Sequence, residues 1–147
     1  MESNNAVVDG EIDANSSVMR HLNCLQDQNR ATRRRALETI RNELLSSENN
    51  GNVVAVVIRP LLRAFSDPVE KCREIAIVAV SETVASTSEP CSLLQCVVPT
   101  LVQRLAQPEI VEPSEELRLK LVQLIRSAVD RCTLHVAPYL NDLVHSA

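Results

Sequence analysis

A chain of 147 residues with a net charge of −4 and a pI near 5.4 has the length of a single domain and no global attraction for nucleic acid or an anionic membrane. Hydrophobic residues make up 45% of it, yet there is one Phe, one Tyr and no Trp, so a core must be packed from Leu, Val, Ile and Ala. Two glycines are too few for the positive-φ turns of a hairpin-rich fold, which points to an all-α chain.

Taken in order, residues 1–14 carry Glu2, Asp9, Glu11 and Asp13 with no Lys or Arg. Without a basic start and an apolar middle they make no secretory signal, and they read as a disordered acidic tail ahead of a repeat domain at 15–147. A first helix A is expected at about 15–26, opened by Asn15 or Ser16 and turning Val18, Leu22 and Leu25 to one side. Helix B, about 29–47, turns Ala36, Leu37, Ile40 and Leu44 inward, and Asn49-Asn50-Gly51 breaks it. A second helix A covers about 52–65. Its run Val53 to Ile58 could read as a strand, but Ile58, Leu62 and Phe65 repeat the spacing of Val18, Leu22 and Leu25. This run of six is the longest uninterrupted apolar stretch and is far too short to cross a bilayer. Asp67-Pro68 is expected to cap and open the next helix B, with Cys72, Ile75, Ala76, Ala79 and Thr83 inward. A third pair follows at about 91–106 and 114–131, the latter turning Leu117, Leu121, Leu124, Ile125 and Ala128 inward. The intervening turn, Ala106 to Pro113, is lengthened for no evident reason. A fourth helix A occupies about 133–146, with Leu140, Leu143 and Val144 expected to lack cover on one side.

Two independent landmarks turn this list into repeats. Pro60, Pro99 and Pro138 are spaced 39 residues apart, and each is followed two positions later by leucine. Asp27, Asp67 and Glu112 are each followed six residues on by an arginine: Arg33, Arg73 and Arg118. A period near forty is that of two-helix HEAT units, which gives a HEAT/armadillo-like α-solenoid of about three and a half repeats, at about 15–50, 51–89, 90–131 and a partial 132–147. Prolines in register inside A helices imply a shared kink. The acid–arginine pairs are expected to form a partly solvated ladder between units. As exposed pairs they would contribute about 0.2–1 kcal/mol each, fixing register while aliphatic burial holds the stack.

The Pro landmark together with the acid–arginine spacing is the HEAT signature, and the detail extends further. Thr32-Arg33-Arg34-Arg35-Ala36-Leu37-Glu38, Arg59-Pro60-Leu61-Leu62-Arg63 with Ser66-Asp67-Pro68, and Glu115-Glu116-Leu117-Arg118-Leu119 resemble the N-terminal repeats of the dynein axonemal assembly factor 5 family, over about residues 18–146. The resemblance implies a cytoplasmic scaffold that helps preassemble axonemal dynein arms for cilia. It also implies axonemal dynein chains, among them the intermediate chain, and other assembly factors or chaperones as partners. It offers no catalytic residue to carry over. A generic HEAT adaptor, such as a fragment of a phosphatase scaffold or transport receptor, is the rival reading.

Other candidate chemistry is sparse. Arg33, Arg34 and Arg35, with Arg30 and Arg41, form the one basic cluster, but no Trp or nearby Tyr supplies a stacking platform for bases. Consecutive residues also spread around a helix, so Arg33 is assigned to the ladder and Arg30, Arg34 and Arg35 to solvent or an acidic partner. Nucleic-acid binding through this cluster is the remote alternative. Five cysteines (Cys24, Cys72, Cys91, Cys96, Cys132) contain no C-x-x-C pair and suit a reduced chain with buried thiols. His21 and Cys24 are the one His–Cys pair at ligand spacing within a single expected helix, too few for a metal site. No cofactor, metal or catalytic constellation is expected, and Glu109, Glu112, Glu115 and Glu116 read as charges at a helix N-terminus.

Overall fold

A computed structural model of the chain describes residues 5–46 and 51–146, with side-chain detail for 15–46 and 51–145. Among these residues seven α-helices follow one another: α1 Asn5–Cys24, α2 Arg30–Thr39, α3 Gly51–Arg63, α4 Glu70–Ser86, α5 Leu94–Leu105, α6 Glu115–Cys132 and α7 Leu140–Ser146. Among the described residues there is no strand, and the β-branched run Val53 to Ile58 is helical. Its Val54, Val57 and Ile58 are buried together with Leu61 and Leu62, a spacing that only a helix places on one side.

The helices alternate between two layers. The B helices stack with α4 between α2 and α6, and the A helices stack with α3 between α1 and α5 and with α7 against α5. Each A helix also packs on its own B helix, α1 on α2, α3 on α4 and α5 on α6, so the molecule is an α-solenoid. One continuous core runs through it, from Val18 through Leu37, Leu61, Ile77, Leu101 and Leu121 to Leu143. The inward positions of α4 and α6 read from periodicity are all buried. α4 is enclosed most completely, because it has a neighbour on each side as well as its A partner.

Several boundaries depart from the sequence reading. α1 starts at Asn5, so residues 5–14 of the stretch expected to be a disordered tail form its first half, while residues 1–4 lie outside the described ones. No proline interrupts the segment, and Ala6, Glu11 and Ala14 favour the helix. The expected break at Asn49-Asn50 also lies outside the described residues, and Gly51 already opens α3. The second half of helix B in the first repeat is a π-helical turn, Ile40–Leu44, closed by a bond from Leu45 N to the Ile40 carbonyl at 2.9 Å. Pro60 and Pro99 lie inside α3 and α5, but Pro138 sits in a 3-10 segment, Thr133–Tyr139, ahead of α7. α6 passes straight into that segment with no linker, and its tighter turn takes up the connection. At the far end Leu140 and Val144 are exposed, whereas Leu143 is only 5% exposed because α7 packs against α5.

Candidate interaction surface

The three acids sit at the three turns between helices A and B, and each is held in the same way. Asp27, Asp67 and Glu112 accept the backbone N–H two residues on, from Asn29, Val69 and Ser114, at 2.7, 2.8 and 3.0 Å. The carbonyl of each acid accepts Nη1 of the arginine six residues later, from Arg33 at 2.9 Å, Arg73 at 3.0 Å and Arg118 at 2.8 Å. Asp67 therefore does not cap α4 directly. Its carboxylate is turned to Val69 N and to an arginine of the preceding repeat, and the helix begins at Glu70.

The other edge of each guanidinium reaches into the next unit. Arg33 grips Asp67 with Nε at 2.8 Å and Nη2 at 3.2 Å. Arg73 grips Glu112 with Nε at 2.9 Å and Nη2 at 3.1 Å. Both are two-pronged fork contacts, the arrangement that gives an arginine–carboxylate pair its directionality. Among the described residues Arg118 has no such carboxylate, only the looser Glu115 of its own helix at 3.8 Å. These pairs are not the partly solvated ones expected: the side chains of Arg33 and Asp67 are 13% and 8% exposed, and those of Arg73 and Glu112 are 8% and 0%. The turns fold over them as the helices stack.

Arg104 escaped the sequence reading altogether. It lies thirty-nine residues after Phe65 and thirty-nine before Leu143, both buried core residues, so an arginine replaces the apolar side chain at that point of the repeat. It is itself buried, donating Nη2 to Glu112 at 2.8 Å while its Nε has no partner. The lengthened turn 106–113 delivers Glu112 to a point where Arg104 and Arg73 share it. Burial pushes the Glu112 carboxyl up, but the bonds from Arg73, Ser114 N–H and Arg104 outweigh this and hold it below the usual glutamate range. Aligning the prolines and reading five residues on would have exposed the substitution. Arg131 is a second omission: it donates Nη1 to the Val84 and Thr87 carbonyls at 2.7 and 2.8 Å, closing the end of α4 from α6.

The arginine cluster divides between roles. Arg34 pairs with Glu38 at 2.9 Å on the exposed side of α2, and Arg41 bridges to Glu82 of α4 at 2.7 Å. Arg30 and Arg35 are exposed. Burial raises the thiols of Cys72 and Cys96, and burial with the neighbouring Cys91 pushes Cys132 up to about 11, which disfavours their thiolate forms. Cys24, Cys91 and Cys96 are half-buried rather than buried, and all five cysteines are free. Among the described residues no three His, Cys, Asp or Glu side chains gather as a metal site, and no helix is long and apolar enough to cross a membrane. Two open clefts flank α3 in the A layer: one of about 490 Å³ against α1, and one of about 580 Å³ against α5.

Stacked helix pairs tied from turn to turn by arginine forks define an α-helical repeat protein, whose extended surfaces rather than an enclosed pocket are available to a partner. The family model described as dynein axonemal assembly factor 5-like, TPR repeats, matches residues 24–146. The chain belongs to that family. The 39-residue proline spacing is longer than the 34 residues of a TPR unit and agrees with the HEAT period. Proteins named dynein axonemal assembly factor 5 are similar to it: 42% identical over 136 residues in Xenopus laevis, covering 90% of this chain, 37% over 134 residues and 83% of the chain in Mus musculus, and 33% over 146 residues and 92% of the chain in Homo sapiens. The chain spans only 16–17% of the length of these relatives. No solved structure matches it significantly.

Proposed function

We propose that this chain is a non-catalytic scaffold segment that holds other proteins during cytoplasmic preassembly of axonemal dynein arms, with the dynein intermediate chain among its clients. The observation that carries this reading is membership of the assembly-factor family over 24–146, joined to a register-locked stack of helices. A rigid array with long exposed faces suits a role in which several subunits are held together before release. The pairs Arg33–Asp67 and Arg73–Glu112 act in it as the register device, Asp27 and Arg118 brace the turns at either end of that ladder, and the exposed Arg30, Arg34 and Arg35 serve as a partner-facing patch on the B layer. The test is affinity capture with the chain from ciliated cells, read by mass spectrometry for axonemal dynein chains and chaperones. Enrichment of the intermediate chain is the expected result. Capture of a phosphatase catalytic subunit with no dynein chain would replace this reading with a general adaptor.

A further inference from the structure

The charges of the two layers are arranged differently. In the B layer most are neutralised locally, by Arg34–Glu38, Arg41–Glu82, Lys71–Glu74, Lys120–Glu116 and Arg126–Asp130. In the A layer the acids of the helices lie in α1 and α7, and there is none between 51 and 66 or between 90 and 108, yet α3 carries Arg59 and Arg63. Both are exposed, and among the described residues neither forms an ion pair, in a chain whose overall charge is −4. Such a pair on an acidic protein is out of keeping with its surroundings.

Their setting is a built groove. Arg63 and Ser66 line both clefts that flank α3, and Arg59 lines the one against α5. Leu22, Leu25 and Pro60 give the first cleft an apolar floor, and Leu62 and Pro99 give one to the second. Amide donors rim them, Asn23 and Gln26 on one side and Gln95 and Gln103 on the other. Asp67 is the one acid in the lining, and Arg33 neutralises it. Pro60 and Pro99 also lack the N–H that would return to the carbonyls of Val56 and Gln95, leaving backbone acceptors near the same surface.

Arg59 and Arg63 are four residues apart on one helix, so they are separated by about 6 Å along its axis. In an extended peptide, side chains two residues apart point the same way at about 6.6 Å. From this match, the unpaired charge and the amide rim, we propose that the A layer across α3 binds an extended acidic segment of a partner protein in which acidic residues alternate. Two carboxylates would meet the two guanidinium forks while intervening small apolar side chains enter the clefts. A nucleic acid fits less well, because no aromatic side chain lines either cleft to stack a base and two arginines neutralise too little of a phosphate chain.

This surface rests on the scaffold reading but lies on the layer opposite the Arg34 patch, so losing it would leave dynein capture through that patch intact. The test is fluorescence anisotropy with the 147-residue chain and a labelled dodecapeptide repeating Glu-Leu-Glu-Ser, beside the same peptide with Lys for Glu and a twelve-nucleotide single-stranded RNA. We expect the acidic peptide to bind in low salt and weaken as salt rises, and Arg59→Glu with Arg63→Glu to weaken it at least tenfold. Arg34→Glu with Arg35→Glu should change it less than twofold. Far-UV circular dichroism checks folding, and Arg59→Gln with Arg63→Gln repeats the test with charge removed rather than reversed. Binding unaffected by both variants at positions 59 and 63, no binding at low salt, or RNA displacing the peptide would each overturn the proposal.

Discussion

At the scale of single residues, the buried trio of Arg73, Glu112 and Arg104 shows why counting charges on a helix wheel misleads. Its two arginines share one carboxylate, so removing the acid and removing one arginine are very different operations. Glu112→Leu leaves two buried cations facing each other and should cost about 3–5 kcal/mol. Arg104→Leu restores the apolar side chain found at Phe65 and Leu143 and leaves Arg73 and Glu112 as a balanced pair. Its cost should stay within about 1.5 kcal/mol, and it removes the unpartnered Nε. Urea denaturation of both variants checks the order, and equal losses would show that Arg104 is needed to hold the acid. The depressed Glu112 carboxyl also sets a pH dependence. Because the native value lies below the ordinary one near 4.5, the stabilisation is complete above that pH and is lost as pH falls through the native value. The gap in urea midpoint between the natural chain and Glu112→Gln should therefore be widest near neutrality and shrink below about pH 4.5. The repeat spacing singles out Arg73 and Glu112 and an alignment of the prolines singles out Arg104, but nothing in the local sequence announces that the three are buried together, because burial is created by stacking.

At the scale of elements, the period was legible and the ends were not. Prolines every 39 residues located α3 and α5, and the apolar faces of α4 and α6 followed from helical spacing, because these segments are long and amphipathic. The onset of α1, the π turn after α2 and the 3-10 entry to α7 were missed. All three depend on how a terminus is packed or connected, which a periodic pattern does not encode. The energetic division between faces is testable on the same helices. Leu101, in the middle of α5, is fully enclosed, and Leu101→Ala should cost about 2–5 kcal/mol through the cavity it opens. Arg34→Ala on the exposed side of α2 removes a solvated pair and should change stability by about 0.5 kcal/mol or less. Thermal and chemical melts that place Arg34→Ala level with Leu101→Ala would contradict the assignment of α2's outer face to solvent.

At the scale of the whole molecule, each guanidinium faces two ways, back to its own turn and forward to the next, so the ladder gives the stack a direction. Its two ends are consequently unlike. Among the described residues, the Asp27 carboxylate at one end receives no arginine and Arg118 at the other has no hydrogen-bonded carboxylate, beside the exposed Leu140 and Val144. An object with an acid that no arginine forks on one end, and on the other an arginine that forks no carboxylate beside exposed apolar side chains, is complementary to a copy of itself in translation, not by rotation. Contacts of that kind do not close on themselves, and repeating one adds molecules without limit. The isolated chain at high concentration should therefore grow into open linear polymers rather than stop at dimers. Light scattering should rise steeply with concentration and fall with added salt, and Arg118→Glu should hold the chain monomeric. A sharply defined dimer in sedimentation would mean that the ends do not join. In a longer array the same asymmetry acts as a polarity label: every internal unit presents an acceptor to one neighbour and a donor to the other, so the units can be strung together in only one orientation.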